Sequence, residues 1–131
     1  MTLELELLSR DYLYGRLLAI AEHIEYTALP DEEKRKRMTN AARFMHRFAN
    51  YPFETWRTIE LSLTPYRERL ISKKRGIFIK LEKEMDSIMS AFKHEDFVSS
   101  EKLTAEFLLG YHCQRKANFK TKEIETSTET N

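Results

Sequence analysis

The side chains that most often carry out chemistry in proteins form few recognisable patterns in this sequence. One adjacent pair, His112-Cys113, could bind a metal ion or supply a thiolate nucleophile. Adjacent residues on a helix point about 100° apart, so further ligands would have to come from elsewhere in the chain. Histidine also neighbours acidic residues at His23 and His94, where exposed helix-surface positions are the simpler explanation. The chain has no glycine-rich phosphate loop, no Cys-x-x-Cys, no His-Glu-x-x-His and no nucleophile elbow. We predict no catalytic residue, no metal site and no cofactor.

The basic residues are concentrated in the middle of the chain, where they could bind a polyanion. The net charge is only +1, but thirteen basic and three acidic residues lie between Lys34 and Lys80, a local net charge of +10. Such segregation favours polyanions even when a protein is nearly neutral overall. Arginine can bridge phosphate oxygens and lysine adds a mobile point charge, so this segment could follow a sugar-phosphate backbone. The predicted nucleic-acid-binding residues are Lys34, Arg35, Lys36, Arg37, Arg43, Arg47, Arg57, Lys73, Lys74 and Arg75.

The basic segment predicts phosphate contacts and not the reading of a base sequence. No recognition-helix or RNP-type motif is present. Blocks of Lys and Arg also serve as solvated surfaces or as docking sites for acidic proteins. The alternative hypothesis is therefore a protein-interaction module whose basic face docks on an acidic partner, without nucleic-acid contact. A small metal-dependent or hydrolytic enzyme is the third hypothesis, and it requires one indispensable side chain.

Length and composition favour a single helical domain. A chain of 131 residues fits one domain, and three Gly and three Pro are too few for the turns of a β-sandwich. One cysteine cannot form an intramolecular disulfide, and no apolar run approaches the roughly 18 residues of a membrane span. Leu and Glu alternate over residues 1–8, which differs from a secretory signal, so we expect a cytoplasmic protein. A short strand, a helix turn and a partner contact all stay open for residues 3–8.

Apolar spacing predicts about five helices. The first spans about 11–27, with Ser9 or Asp11 as its N-cap, and the second about 31–49. Pro52 opens the third, which Pro65 should kink or interrupt. A linker over 72–76 precedes the fourth, which ends near residue 94.

The fifth predicted helix begins at Ser99 or Ser100 and ends near Asn118. Residues 121–131 are rich in Thr and Glu with Ile124 as the single strongly apolar residue, so this tail should be mobile. The sequence thus predicts an all-α protein, a compact bundle of about five helices over 1–120 followed by a flexible tail over 121–131.

Three segments of the sequence, which occur in the same order as in the family, resemble the C-terminal part of the large subunit of type I-C CRISPR effector complexes. The resemblance spans about residues 12–119. Its most specific pieces are the Tyr-Leu-x-Gly-Arg-Leu opening at 12–17 and the Leu-Gly-Tyr-x-x-Gln-Arg ending at 109–115. The family usually has Tyr-His where His112 and Cys113 stand, and its middle block is less bulky than residues 43–48 here. The segments are 11–22, 39–44 with 49–52 following, and 107–115.

The residues that match the family are expected to be structural. Gly15 and Gly110 would let helices approach closely, and Gln114 and Arg115 would tie helices together or meet a neighbouring subunit. Arg16 and Asn40 also match.

The resemblance implies a non-catalytic small subunit of a type I-C Cascade complex, a region that is also produced separately from an internal start site. The implied partners are the large subunit, the backbone subunits, further copies of the chain, the crRNA and the displaced non-target DNA strand, with no membrane and no small-molecule substrate. The subunit would help to hold that strand during R-loop formation, while a separate nuclease-helicase cuts. Such a role needs a positive, sequence-tolerant groove, which the basic segment could form.

Overall fold

Residues 9–29 and 39–130 are described by a computed structural model, in which residue 40 and residues 119–130 are described by their backbone alone. Within these ranges the chain forms eight helices and no strand, and five of the helices are longer than six residues. The predicted all-α bundle of about five helices is confirmed. The helices are α1 (Arg10–Ala28), α2 (Asn40–Arg43), α3 (Met45–Asn50), α4 (Pro52–Ser62), α5 (Thr64–Lys73), α6 (Arg75–Ala91), α7 (His94–Phe97) and α8 (Glu106–Thr130).

Helix α1 is the centre of the bundle. Twelve of its 19 residues are buried, and α2, α4, α5, α6 and α8 all pack against it. A helix covered on most sides needs apolar residues on most sides, which explains why Leu, Ile and Ala recur around its whole circumference. The Ser9 hydroxyl accepts a hydrogen bond from the Tyr12 N–H, so Ser9 is the N-cap of the two predicted candidates.

Proline positions decide how the third predicted helix is divided. Pro52 lies in the first turn of α4 and Pro65 in the first turn of α5, where a backbone N–H is not needed for the helix. Leu63 joins the two helices, and its N–H still donates to the Ile59 carbonyl at 3.1 Å. The predicted interruption before Pro65 is confirmed.

Two predicted boundaries near the middle of the chain were wrong. The linker expected over 72–76 shrinks to Lys74, because α5 continues to Lys73 and α6 begins at Arg75. Gly76 lies in the first turn of α6, and its φ is not positive. The second predicted helix is divided in its described part, where a turn at Phe44 separates α2 from α3. Its expected start at Asp31 lies outside the described residues, as do residues 1–8.

The last helix begins at Glu106, and the predicted start at 99–100 was wrong. The segment before it is held against the beginning of α1 in a non-helical conformation. The Arg10 guanidinium donates to main-chain oxygens of this segment, and the Asp11 carboxylate accepts the Thr104 N–H at 2.7 Å. These tertiary hydrogen bonds override the local preference for helix.

The same helix continues to Thr130, so its predicted end near Asn118 was also wrong. No Gly or Pro follows Gly110 to interrupt it. The predicted mobility of residues 121–131 and the domain bounds of 1–120 stay predictions.

Candidate nucleic-acid interface

The two most distinctive sequence segments lie against each other, one on α1 and the other on α8. A Cβ atom on Gly15 would lie 2.6 Å from the Tyr111 nitrogen, and one on Gly110 would lie 2.9 Å from the Tyr12 carbonyl carbon. Side-chain atoms do not approach main chain this closely, so the two helices touch backbone to backbone at a pair of glycines. The close approach expected from Gly15 and Gly110 is confirmed.

A buried polar network fastens this helix pair to α6. Arg16 Nε donates to Gln114 Oε1 at 2.9 Å. Gln114 Nε2 in turn donates to Glu84 Oε1 at 2.6 Å and to Asn118 Oδ1 at 3.0 Å. Gln114 is only 2% exposed, so its amide is removed from water with its polar atoms paired. The expected role of Gln114 in tying helices together is confirmed.

Arg115 joins the same two helices. Its Nε lies 3.2 Å from Glu22 Oε1 on α1, and its guanidinium lies 5.5 Å from the centre of the Tyr111 ring. The Tyr111 hydroxyl donates to the other Glu22 oxygen at 2.7 Å. Burial of the phenol, together with this hydrogen bond to a carboxylate, raises the pKa of Tyr111. Arg115 is thus a structural cation.

The predicted binding residues in the described part of the chain are all exposed. Arg43, Arg47 and Arg57 lie on α2, α3 and α4, whereas residues 73–75 lie where α5 meets α6. The Arg57 guanidinium lies 5.9 Å from the centre of the Phe53 ring, a cation–π contact at the surface. The remaining predicted residues, Lys34, Arg35, Lys36 and Arg37, lie outside the described residues.

Part of this set gathers around one pocket at the C-terminal end of α1. The Arg69 Nη1 donates to the Ala28 carbonyl oxygen at 3.2 Å, and the Lys74 Nζ donates to that of Thr27 at 3.4 Å. Helix α1 has no basic residue in its own last turn, so cations from outside the helix offset its negative end. The pocket has a volume of about 210 Å³. Its lining is Thr27, Ala28, Leu29, Arg69, Leu70, Lys73 and Lys74.

The structure separates basic residues that the charge pattern treats alike. Arg67 Nε lies 2.6 Å from Glu82 Oε1, and the Arg67 side chain is 22% exposed, so this arginine is committed to an ion pair between α5 and α6. Arg69, two residues later, lines the pocket instead. It was not among the predicted binding residues, although it stands four residues before Lys73, which places both on one face of a helix. Arg43, Arg47 and Arg57 do not line this pocket.

The described residues do not bring together three His, Cys, Asp or Glu side chains that could hold a metal ion. His112 is exposed and Cys113 is half-buried on α8. None of the described helices is both long enough and apolar enough to cross a membrane. The predicted absence of a catalytic residue stays a prediction.

The described residues form an all-helical protein with a cationic edge, made of Arg69 and residues 73–75, where α5 meets α6. Residues 1–119 match the family model described as CRISPR-associated protein (Cas_Csd1). Because that match covers most of the chain, the chain belongs to this family, in agreement with the type I-C resemblance. A search of curated proteins gave no match.

Proposed function

We propose that this chain is the small subunit of a type I-C Cascade complex, a non-catalytic protein that binds the backbone of nucleic acid. It holds the displaced non-target DNA strand during R-loop formation and contacts the crRNA, the large and backbone subunits and further copies of itself. Family membership over 1–119 supports the CRISPR assignment. The observation that carries the binding role is the cationic edge of Arg69 and residues 73–75, on a chain of that family.

The chemistry of this edge suits phosphates. Residues 73–75 are consecutive cations that are all exposed, and no acidic residue in the described part of the chain lines the pocket beside them. Each such contact with a single strand releases condensed counterions, which lowers the slope of log affinity against log salt by about 0.7. Backbone contacts of this kind tolerate any base sequence, as a subunit holding a displaced strand requires.

One observation favours the second candidate, a dock for an acidic protein. Ile71, Ile77 and Ile79 are 43%, 36% and 45% exposed, and they neighbour the same cations in sequence. Phosphates gain nothing from exposed isoleucine, whereas protein interfaces combine an apolar centre with a charged rim.

Anisotropy of a labelled single-stranded DNA of random sequence, from about 50 to 300 mM salt, tests the proposal. The triple variant Lys73→Gln, Lys74→Gln, Arg75→Gln removes three contacts, so the salt slope should become shallower by about 2 and low-salt affinity should fall at least about tenfold. A second variant that neutralises 34–37 tests the predicted residues outside the described part.

The matched control changes the exposed Lys93, Lys102 and Lys116 to Gln, which removes the same number of charges elsewhere on the described surface. It should leave affinity within about twofold. Equal losses of affinity in the two triple variants would mean that binding depends on total charge and not on residues 73–75. Absence of binding by the wild-type chain at low salt would contradict backbone binding and favour the protein dock, for which a few hot-spot residues should dominate.

A further inference from the structure

Among the described residues, those that line the pocket at the C-terminal end of α1 include three cations and no acidic side chain. Arg69 and Lys73 come from successive turns of α5, and Lys74 follows directly after that helix. Glu25, the nearest acidic residue along α1, is buried and does not belong to the lining. Three full positive charges outweigh the roughly half negative charge at the C-terminal end of α1, so the described lining favours an anion.

Two of the three cations are positioned in advance by the main chain of α1. Arg69 uses one of its five N–H groups on the Ala28 carbonyl, and Lys74 uses one of its three on the Thr27 carbonyl. These two bonds leave four N–H groups of Arg69 and two of Lys74 for other acceptors. Fixing the heads of long side chains before a ligand arrives reduces the entropy lost on binding. Lys73 is exposed at the same pocket and adds a mobile charge.

Size and polarity narrow the choice of anion. The pocket volume of about 210 Å³ is many times the roughly 10–15 Å³ that one water needs, so the pocket has room for more than a small ion. Ala28, Leu29 and Leu70 give the pocket an apolar wall beside its cations. A sugar attached to a phosphate presents such a combination, with charged oxygens next to a carbon face.

We infer that this pocket binds one phosphodiester of a single-stranded nucleic acid. The phosphate is held by Arg69 and Lys73, and the sugar lies against the apolar wall. The inference rests on the proposed function and sharpens it, because it selects one pocket within the cationic edge and adds Arg69 to the binding residues.

The decisive test adds a charge to the pocket and leaves all three cations in place. Thr27→Glu introduces a carboxylate into the lining, whereas Thr27→Gln introduces a neutral side chain of nearly the same shape. With an oligothymidine of about 15 nucleotides at low salt, Thr27→Glu should weaken binding at least about tenfold and Thr27→Gln by less than about twofold. Equal affinity of the two variants would overturn the pocket inference while leaving the proposed function standing.

Lys73→Gln is the second variant, chosen because it leaves the bonds between Arg69, Lys74 and α1 intact. It should make the salt slope shallower by about 0.7, and Lys93→Gln, at the opposite end of α6, should not change the slope. Urea unfolding of each variant verifies that it is folded. An unchanged slope in Lys73→Gln would contradict a phosphate at this pocket.

Two further ligands distinguish an internal phosphodiester from a terminal phosphate. They are the same oligothymidine carrying a 5′-phosphate, and thymidine monophosphate. The inference predicts equal affinity for both oligonucleotides and no measurable binding of the monophosphate at millimolar concentration. A gain of about tenfold from the 5′-phosphate would assign the pocket to a strand end and overturn the inference. Binding of the monophosphate alone would contradict both the inference and the proposed function.

Discussion

The first half and the last turn of α1 are held in opposite ways. Its first half packs on α8 through the contact of Gly15 with Gly110, and Arg16 pairs there with the buried Gln114. Its last turn is held by Arg69 and by the exposed Lys74. In the first region the polar groups satisfy one another away from water, whereas in the second the cations keep donors for a ligand. We therefore expect stability to depend mainly on the first region and the proposed binding to depend on the second.

Placing a methyl group in the glycine contact is the strongest way to test this difference. Gly15→Ala or Gly110→Ala brings a Cβ into backbone atoms that cannot move aside without separating α1 from α8. Overpacking of cores costs about 1–3 kcal/mol, and a clash with backbone belongs at or above the top of that range. We expect a loss of at least about 3 kcal/mol in the free energy of unfolding, measured with urea.

Gly76→Ala is the matched control for both glycine variants. A Cβ at this position in the first turn of α6 would meet nothing within 4 Å, so alanine should not lower stability and should raise it by less than the roughly 0.5–1 kcal/mol typical of a helix interior. If all three alanine variants change stability alike, close approach at Gly15 and Gly110 does not hold the fold together.

Truncating the buried amide should have the next largest effect. Gln114→Ala removes the partner of Arg16 and leaves a cavity between α1, α6 and α8. An unpaired buried polar group costs about 1–3 kcal/mol, so a loss of about 2–4 kcal/mol including packing is expected in urea unfolding. Lys116→Ala, two residues along on the exposed side of α8, should change stability by less than about 0.5 kcal/mol. A loss below 1 kcal/mol at Gln114 would contradict the central role of the network.

The smallest expected effect is the dependence of folding stability on pH, because this dependence is absent near neutral pH. Burial raises the pKa of both Tyr14 and Tyr111 above the usual value of 10.0. Above about pH 10 the unfolded chain loses these phenolic protons and the folded chain retains them, so stability should fall as pH rises. Below that pH both states are protonated and the pKa shifts leave stability unchanged.

Urea midpoints at about pH 8, 10 and 11 measure this dependence. Lys residues also titrate in this range, so the comparison is between the wild type and Tyr14→Phe, which share that background. The variant should lose less stability between pH 10 and 11. Parallel curves for the two proteins would mean that burial of the Tyr14 phenol is not linked to folding.

Local chemistry was predictable from the sequence, and contacts between distant segments mostly were not. The cap at Ser9 and the interruption before Pro65 each follow from what one residue type permits, whereas the close approach of Gly15 to α8 was expected for a residue that matches the family. The start of α8 did not follow, because it depends on bonds from Arg10 and Asp11 to a segment about 90 residues away.

The candidate site shows the same limit. The cationic edge could be read from composition, but the different roles of Arg67 and Arg69 could not. Residues two apart on a helix point about 200° from each other, and the choice between them depends on Glu82 in α6 and on the last turn of α1. The predicted binding residues stay predictions, and Arg69, which lines the pocket with Lys73 and Lys74, was not among them.

The pairing of α1 with α8 has a consequence for synthesis of the chain. Arg16 and Gln114 are 98 positions apart. At about 5–20 residues synthesised per second, the side of α1 that packs on α8 is therefore exposed for roughly 5–20 s before α8 is made. Contacts of such long range are also the slow ones to form. During synthesis, α2, α4, α5 and α6 can cover parts of α1 earlier, so the side that faces α8 is the last part of this helix to leave water.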